Sequence, residues 1–143
     1  MPIRQMTLKW MGPFTMDQLD YAVHPGFYAI VTFRNGVPNH LLYIGQATDD
    51  TIKRRLTKHK SKWFDEHRGI RIYIACLTPE DHIYLGSDGI LCIENALIYK
   101  YDPERNKDCR YYLKPKFGYH MYLIKNTGKR PFGFSPILDM QRV

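Results

Sequence analysis

Apolar and polar positions divide the chain into stretches of two different periods. Phe27-Tyr28-Ala29-Ile30-Val31-Thr32-Phe33 is rich in β-branched and aromatic residues, follows a His24-Pro25-Gly26 break, and predicts a strand. Asn35-Gly36 is the favoured dipeptide of a tight turn, Pro38 extends the predicted loop, and Leu41-Leu42-Tyr43-Ile44-Gly45 returns as the second arm of an antiparallel hairpin. The period then changes. Ile52, Leu56 and Trp63 fall on one face of a helix that Asp49, Asp50 or Thr51 can cap, while Lys53, Arg54, Arg55, Lys58, Lys60 and Lys62 cover the rest. Ile70 to Leu77 predicts a third strand, closed by Thr78-Pro79-Glu80-Asp81. Apolar residues at 90, 93, 97 and 98 predict a second helix that Pro103 ends, with Glu94 beside the apolar stripe. Upstream of the hairpin, Thr15 can cap a short helix to about Ala22, with Gln18 bonding back.

The final forty residues lack a clear period, although Tyr119 to Lys125 can form a strand. They interleave Arg110, Lys114, Lys116, Lys125, Lys129 and Arg130 with Tyr111, Tyr112, Phe117, Tyr119, Tyr122, Phe132 and Phe134. Such a mixture either binds phosphates and stacks bases or packs its rings over the sheet behind a basic rim. No repeat, low-complexity tract or linker divides the chain, and 143 residues suffice to bury one core, so residues 1–143 are expected to form a single domain.

Charge narrows the partners. Lys and Arg number 21 against 14 Asp and Glu, a formal +7 that favours a phosphate backbone or an anionic surface. No apolar run reaches membrane-spanning length and the start has no signal-like stretch, so the expectation is a soluble, cytoplasmic protein, with nucleoid association open and no membrane partner. Cys76, Cys92 and Cys109 are odd in number and widely spaced, which excludes a disulfide framework and a Cys-x-x-Cys zinc site.

Gly26-Phe27-Tyr28 and Tyr43-Ile44-Gly45 occupy the two hairpin strands, Arg55-Leu56-Thr57-Lys58-His59 lies on the next helix, and Glu94 and Asn106 follow. Each part alone is ordinary. Together and in this order they resemble the GIY-YIG nuclease family over about residues 26 to 106, with Phe27 in place of Ile and a fourteen-residue interval between the triplets. The resemblance implies an α/β fold of the α+β type: a small, mostly antiparallel three-stranded sheet flanked by helices. It implies a divalent-metal-dependent DNA endonuclease; the alternatives are a catalytically silent nucleic-acid-binding module of the same fold and, less favoured by the charge, an anion-binding regulator.

Phosphodiester hydrolysis needs an activated water, neutralised phosphoryl charge and help for the leaving oxygen. The resemblance places Tyr28 against the water, and Arg55 offers a planar fork for a phosphate oxygen in preference to its neighbour Arg54. Cations near Tyr28 are expected to lower its phenol. Tyr43 positions phosphate or water, and His59, on the Arg55 face of the helix, orients Tyr43 or receives a proton. Glu94 is a hard carboxylate suited to Mg2+ or Mn2+. Gly26 and Gly45 allow a close approach of backbone or phosphate, and the resemblance assigns Asn106 to holding the catalytic groups or the Glu94 helix in place. Arg54, Lys58, Lys62, Lys114 and Lys116 are the candidate DNA contacts. If each chain offers one site, cutting both strands calls for a homodimer.

Overall fold

The computed structural model describes residues 4–19, 24–48, 50–106 and 122–140. The hairpin forms as its pattern requires, from β2 (Gly26–Arg34) and β3 (Val37–Ala47). Asn35 and Gly36 both take positive φ, 54° and 76°, so the turn has two residues and not the longer loop that Pro38 implied. Pro38 instead lies within β3, tolerated because β3 is the outermost strand and needs no donor on its free side. β4 (Ile70–Cys76) pairs antiparallel with the other edge of β2.

The sheet continues past these three strands. Residues Arg4–Phe14 form β1, a strand that the patterning above leaves unassigned although Met6, Leu8 and Trp10 point inward in strict alternation with exposed neighbours. β1 runs antiparallel to β4 and parallel to β5 (Tyr122–Gly128), and β6 (Ile137–Asp139) closes the order β3-β2-β4-β1-β5-β6. This corrects the expected small three-stranded sheet flanked by helices. The sheet has six strands of mixed direction, and the described residues contain two α-helices. The physical reason is that β1 still has a free edge after meeting β4, and the last strands of the chain fill it. The expected Tyr119–Lys125 strand begins, among the described residues, at Tyr122.

Helix α1 (Ile52–Trp63) is capped by Thr51, whose side chain accepts from Arg54 N–H at 3.1 Å. It buries Ile52, Leu56 and Trp63 against Tyr28, Ile30, Leu42, Ile72 and Ile74. Helix α2 (Pro79–Tyr101) covers the opposite face, where Ile90, Ile93 and Leu97 meet Phe27, Ala29, Val31, Leu8 and Trp10. Thr78 both ends the strand and caps α2, so this helix starts earlier than its apolar period, with a kink at Gly86 (φ 66°). With both faces covered, β2 reads as a continuous apolar run and not as an alternation. The expected helix after Thr15 is a 3-10 turn at Met16–Leu19 in its described part, with Thr15 N–H donating to Gln18 Oε1.

The packing reading holds for part of the late aromatics: Tyr122 and Phe134 are buried, and Phe134 stacks on Tyr101 and meets Trp10 edge-on. Phe132 is exposed. Cys92 is buried and Cys76 half-buried, while Cys109 lies outside the described residues. No helix among the described residues is long and apolar enough to cross a membrane.

Candidate active site

The pairing of β2 with β3 sets Tyr28 opposite Gly45 and Ile30 opposite Tyr43, so both phenols emerge on the face that α1 covers. A Cβ on Gly45 would stand 2.5 Å from Tyr28 Oη, and one on Gly26 would collide with the carbonyl oxygen of Ala75 on β4. The two glycines therefore admit a phenol and a neighbouring strand, not a phosphate. Tyr28 and Tyr43 stack with ring centroids 6.1 Å apart and planes 17° from parallel.

α1 supplies the next side chains. His59 is four residues after Arg55 and four before Trp63, which places all three along one side of the helix. His59 Nε2 lies 3.0 Å from Tyr28 Oη in a hydrogen bond, and its ring centroid is 4.4 Å from that of Tyr43. Trp63 Nε1–H donates to His59 Nδ1 at 3.3 Å. Arg54 and Lys58 both face Asp50, at 3.3 and 3.9 Å. Arg55 has no carboxylate partner among the described residues, and its charge acts on both Tyr28 and His59. This separates the two adjacent arginines: one is tied to its own helix start, the other faces the tyrosines and histidine.

Electrostatics at the phenol run against one expectation. Tyr28 is only 2% exposed, and burial pushes its phenol far above the ordinary range. The neighbouring Tyr43 and the Glu94 carboxylate raise it further, and Arg55 lowers it without reversing the balance. Cations do not lower this phenol because desolvation exceeds their attraction. For His59 the same burial acts downward, reinforced by Lys62 and Arg55, and brings it to about 4. At neutral pH the pair is an uncharged phenol and an uncharged imidazole.

Glu94 comes from α2, half-buried, close enough for its charge to be felt at Tyr28. Among the described residues no group of three or more His, Cys, Asp and Glu side chains could hold a metal. A single hard carboxylate still fits a Mg2+ or Mn2+ ion that keeps several waters and shares the substrate's phosphate. An ion on Glu94 would sit within electrostatic reach of Tyr28, so the donor chemistry fits the implied group.

Asn106 is 6% exposed and answers both backbone groups of one residue: its Oδ1 accepts from Ile44 N–H and its Nδ2 donates to Ile44 C=O, each at 2.9 Å. Ile44 is the middle of the Tyr-Ile-Gly triplet. Arg105, adjacent to it, donates its N–H to Leu42 C=O at 2.8 Å, so the chain after α2 covers the open edge of β3 where the site is built. The Arg105 guanidinium lies 4.7 Å above the Trp63 ring, donates to His67 Nε2 at 2.9 Å, and pairs with Glu66.

Tyr28, Tyr43 and His59 are thus in mutual contact, Arg55 acts electrostatically on Tyr28 and His59 and Glu94 on Tyr28, and Gly26, Gly45 and Asn106 shape the strands beneath. Lys58 and Lys62 are exposed on α1, as is Arg54. Lys114 and Lys116 lie outside the described residues. Trp63 and Arg105 are the residues the motif did not bring forward; the i,i+4 spacing of Trp63 from His59 is the signal that could have found the first. No protein-family model, curated protein or solved structure matches the chain.

Proposed function

We propose that the chain is a divalent-metal-dependent DNA endonuclease of the GIY-YIG kind, with Mg2+ or Mn2+ as its ion and DNA as its substrate. The observation that carries this reading is the convergence on Tyr28: His59 bonds it, Tyr43 stacks on it, and the charges of Glu94 and Arg55 reach it from two different helices. Tyr28 activates the attacking water, Tyr43 and Arg55 hold the phosphate, and His59 holds the Tyr28 oxygen. Glu94 holds the ion, which supplies positive charge against the charge that builds on the phosphoryl oxygens. Exposed Arg54, Lys58 and Lys62, together with the net charge of +7, favour the DNA backbone as partner, and a homodimer acting in the cytoplasm completes the proposal for double-strand cutting.

A second reading is favoured by one observation. A phenol that is 2% exposed and held strongly neutral is poorly placed to meet a water, which suits a nucleic-acid-binding module that does not cut. The test is to incubate the protein with Mg2+ or Mn2+ and single-stranded, duplex and branched DNAs, and to map the cut ends. Metal-dependent cleavage that Glu94→Gln abolishes, with DNA binding retained, supports the nuclease. Binding without cleavage on every substrate selects the second reading.

A further inference from the structure

An indole N–H can only donate, and a neutral imidazole has one nitrogen that donates and one that accepts. Trp63 Nε1–H faces His59 Nδ1 at 3.3 Å, so Nδ1 is the accepting nitrogen; a proton there would set two N–H groups against each other. We infer that Trp63 is a positioning residue that fixes His59 in its Nε2–H form, so that His59 donates to Tyr28 Oη and the phenol's own hydrogen points away from the histidine. The burial that keeps His59 neutral at ordinary pH is consistent with this, because a neutral ring must choose between the two forms.

The indole is itself held. Arg105 lies over its face at 4.7 Å, and that guanidinium is fixed by His67 and Glu66, so Trp63 has little freedom to turn its N–H elsewhere. The chain of control thus runs from the segment after α2, through Arg105 and Trp63, to the tyrosine on β2.

The consequence for catalysis, which rests on the nuclease reading, is that His59 Nε2 cannot receive the Tyr28 proton because it already carries one. Of the two roles open to His59, orienting a tyrosine or receiving a proton, this inference favours the first. Tyr28 keeps its hydroxyl hydrogen directed away from His59, and when the phenol ionises to act on the water, the Nε2–H bond remains to hold its oxygen. The phenol's proton then passes to bulk water and not to His59 Nε2.

Long-range 1H–15N correlation on the full chain with labelled histidine, without DNA, reads the protonated nitrogen of His59 directly. The expected result is Nε2–H with bare Nδ1 in the parent, and a fall of about fivefold in the Nε2–H to Nδ1–H ratio in Trp63→Phe, the weight of roughly one hydrogen bond. Tyr28→Phe, which keeps the ring in its slot, is expected to leave the ratio unchanged. Nδ1–H in the parent overturns the inference, as does a ratio that falls in Tyr28→Phe but not in folded Trp63→Phe. If Trp63→Phe does not fold, the parent and Tyr28→Phe spectra still decide it. Failure to cleave any DNA removes the nuclease reading and leaves the tautomer result standing, so the two failures are distinct.

Discussion

Replacing Asn106 by Ala removes a side chain that satisfies both backbone groups of Ile44. Ile44 is fully buried on the outermost strand, and its N–H and C=O point away from β2 toward Asn106. Each buried group left without a partner costs about 1–3 kcal/mol, so the two together are expected to cost about 2–6 kcal/mol. Against the usual 5–15 kcal/mol of a domain this is a large share, and folding is weakened but not abolished. Urea denaturation of the parent and Asn106→Ala measures the loss, and amide exchange locates it: the Ile44 N–H should lose protection far more than amides of β1 or β4. Because Tyr43 and Gly45 flank Ile44, the Tyr28–His59 bond should loosen as well. A loss under about 1 kcal/mol with unchanged Ile44 exchange would refute the argument, and would mean that water replaces the asparagine at no cost.

Gly45→Ala places a Cβ 2.5 Å from Tyr28 Oη, so the buried ring must shift, and a loss of about 1–3 kcal/mol and of cleavage is expected; a parental melting temperature would show that the slot is loose. Arg55→Lys should slow single-turnover cleavage about tenfold or more, because an ammonium keeps the charge but not the fork, and Arg54→Lys should do little; the opposite ranking would identify Arg54 as the phosphate ligand. His59 is depressed from 6.5 to about 4 in the fold, so its contribution to stability is present above pH 6.5 and is lost as pH falls toward 4. The unscreened limit is about 3 kcal/mol, which partial exposure reduces to about 1–2 kcal/mol. Denaturation at neutral and acid pH should show this limb in the parent and not in His59→Gln, and an equal limb in both would assign it elsewhere.

The hairpin, both helices and the third strand were legible because their signals are local: Asn35-Gly36 marks the turn, Thr51 the start of α1, and Ile70 to Cys76 an apolar run broken only by Arg71. β1 was legible in principle from Met6, Leu8 and Trp10, but its place at the centre of the sheet was not, because no local pattern pairs residues 4–10 with 122–128. β5 is further disguised by Asn126, a polar residue at an inward position that is satisfied there by Trp10 Nε1–H at 2.9 Å. The motif placed Tyr28, Tyr43 and His59 together, since spacing on paired strands and on a helix face is geometric. It said nothing of how deeply Tyr28 is buried, of Gly45 as the slot for a phenol, or of Trp63 reaching His59. Those depend on how α1 settles on the sheet.

The position of β1 bears on how the protein is made. β1 precedes both of its neighbours in sequence yet lies between β4 and β5, and the Trp10–Asn126 bond joins residues 116 positions apart. On the ribosome β1 can meet β4 once residue 76 has emerged, yet its other edge waits for residues 122–128. In that interval a nascent chain presents an unpaired strand studded with Met6, Leu8 and Trp10, which is a template for association with another copy. The hairpin and α1 that carry the tyrosines and histidine need nothing beyond Asn106 for the contacts described above. The second half of the sheet is a late, long-range closure, and premature chain termination before residue 122 would leave the hairpin strands and α1 in a polypeptide prone to aggregate.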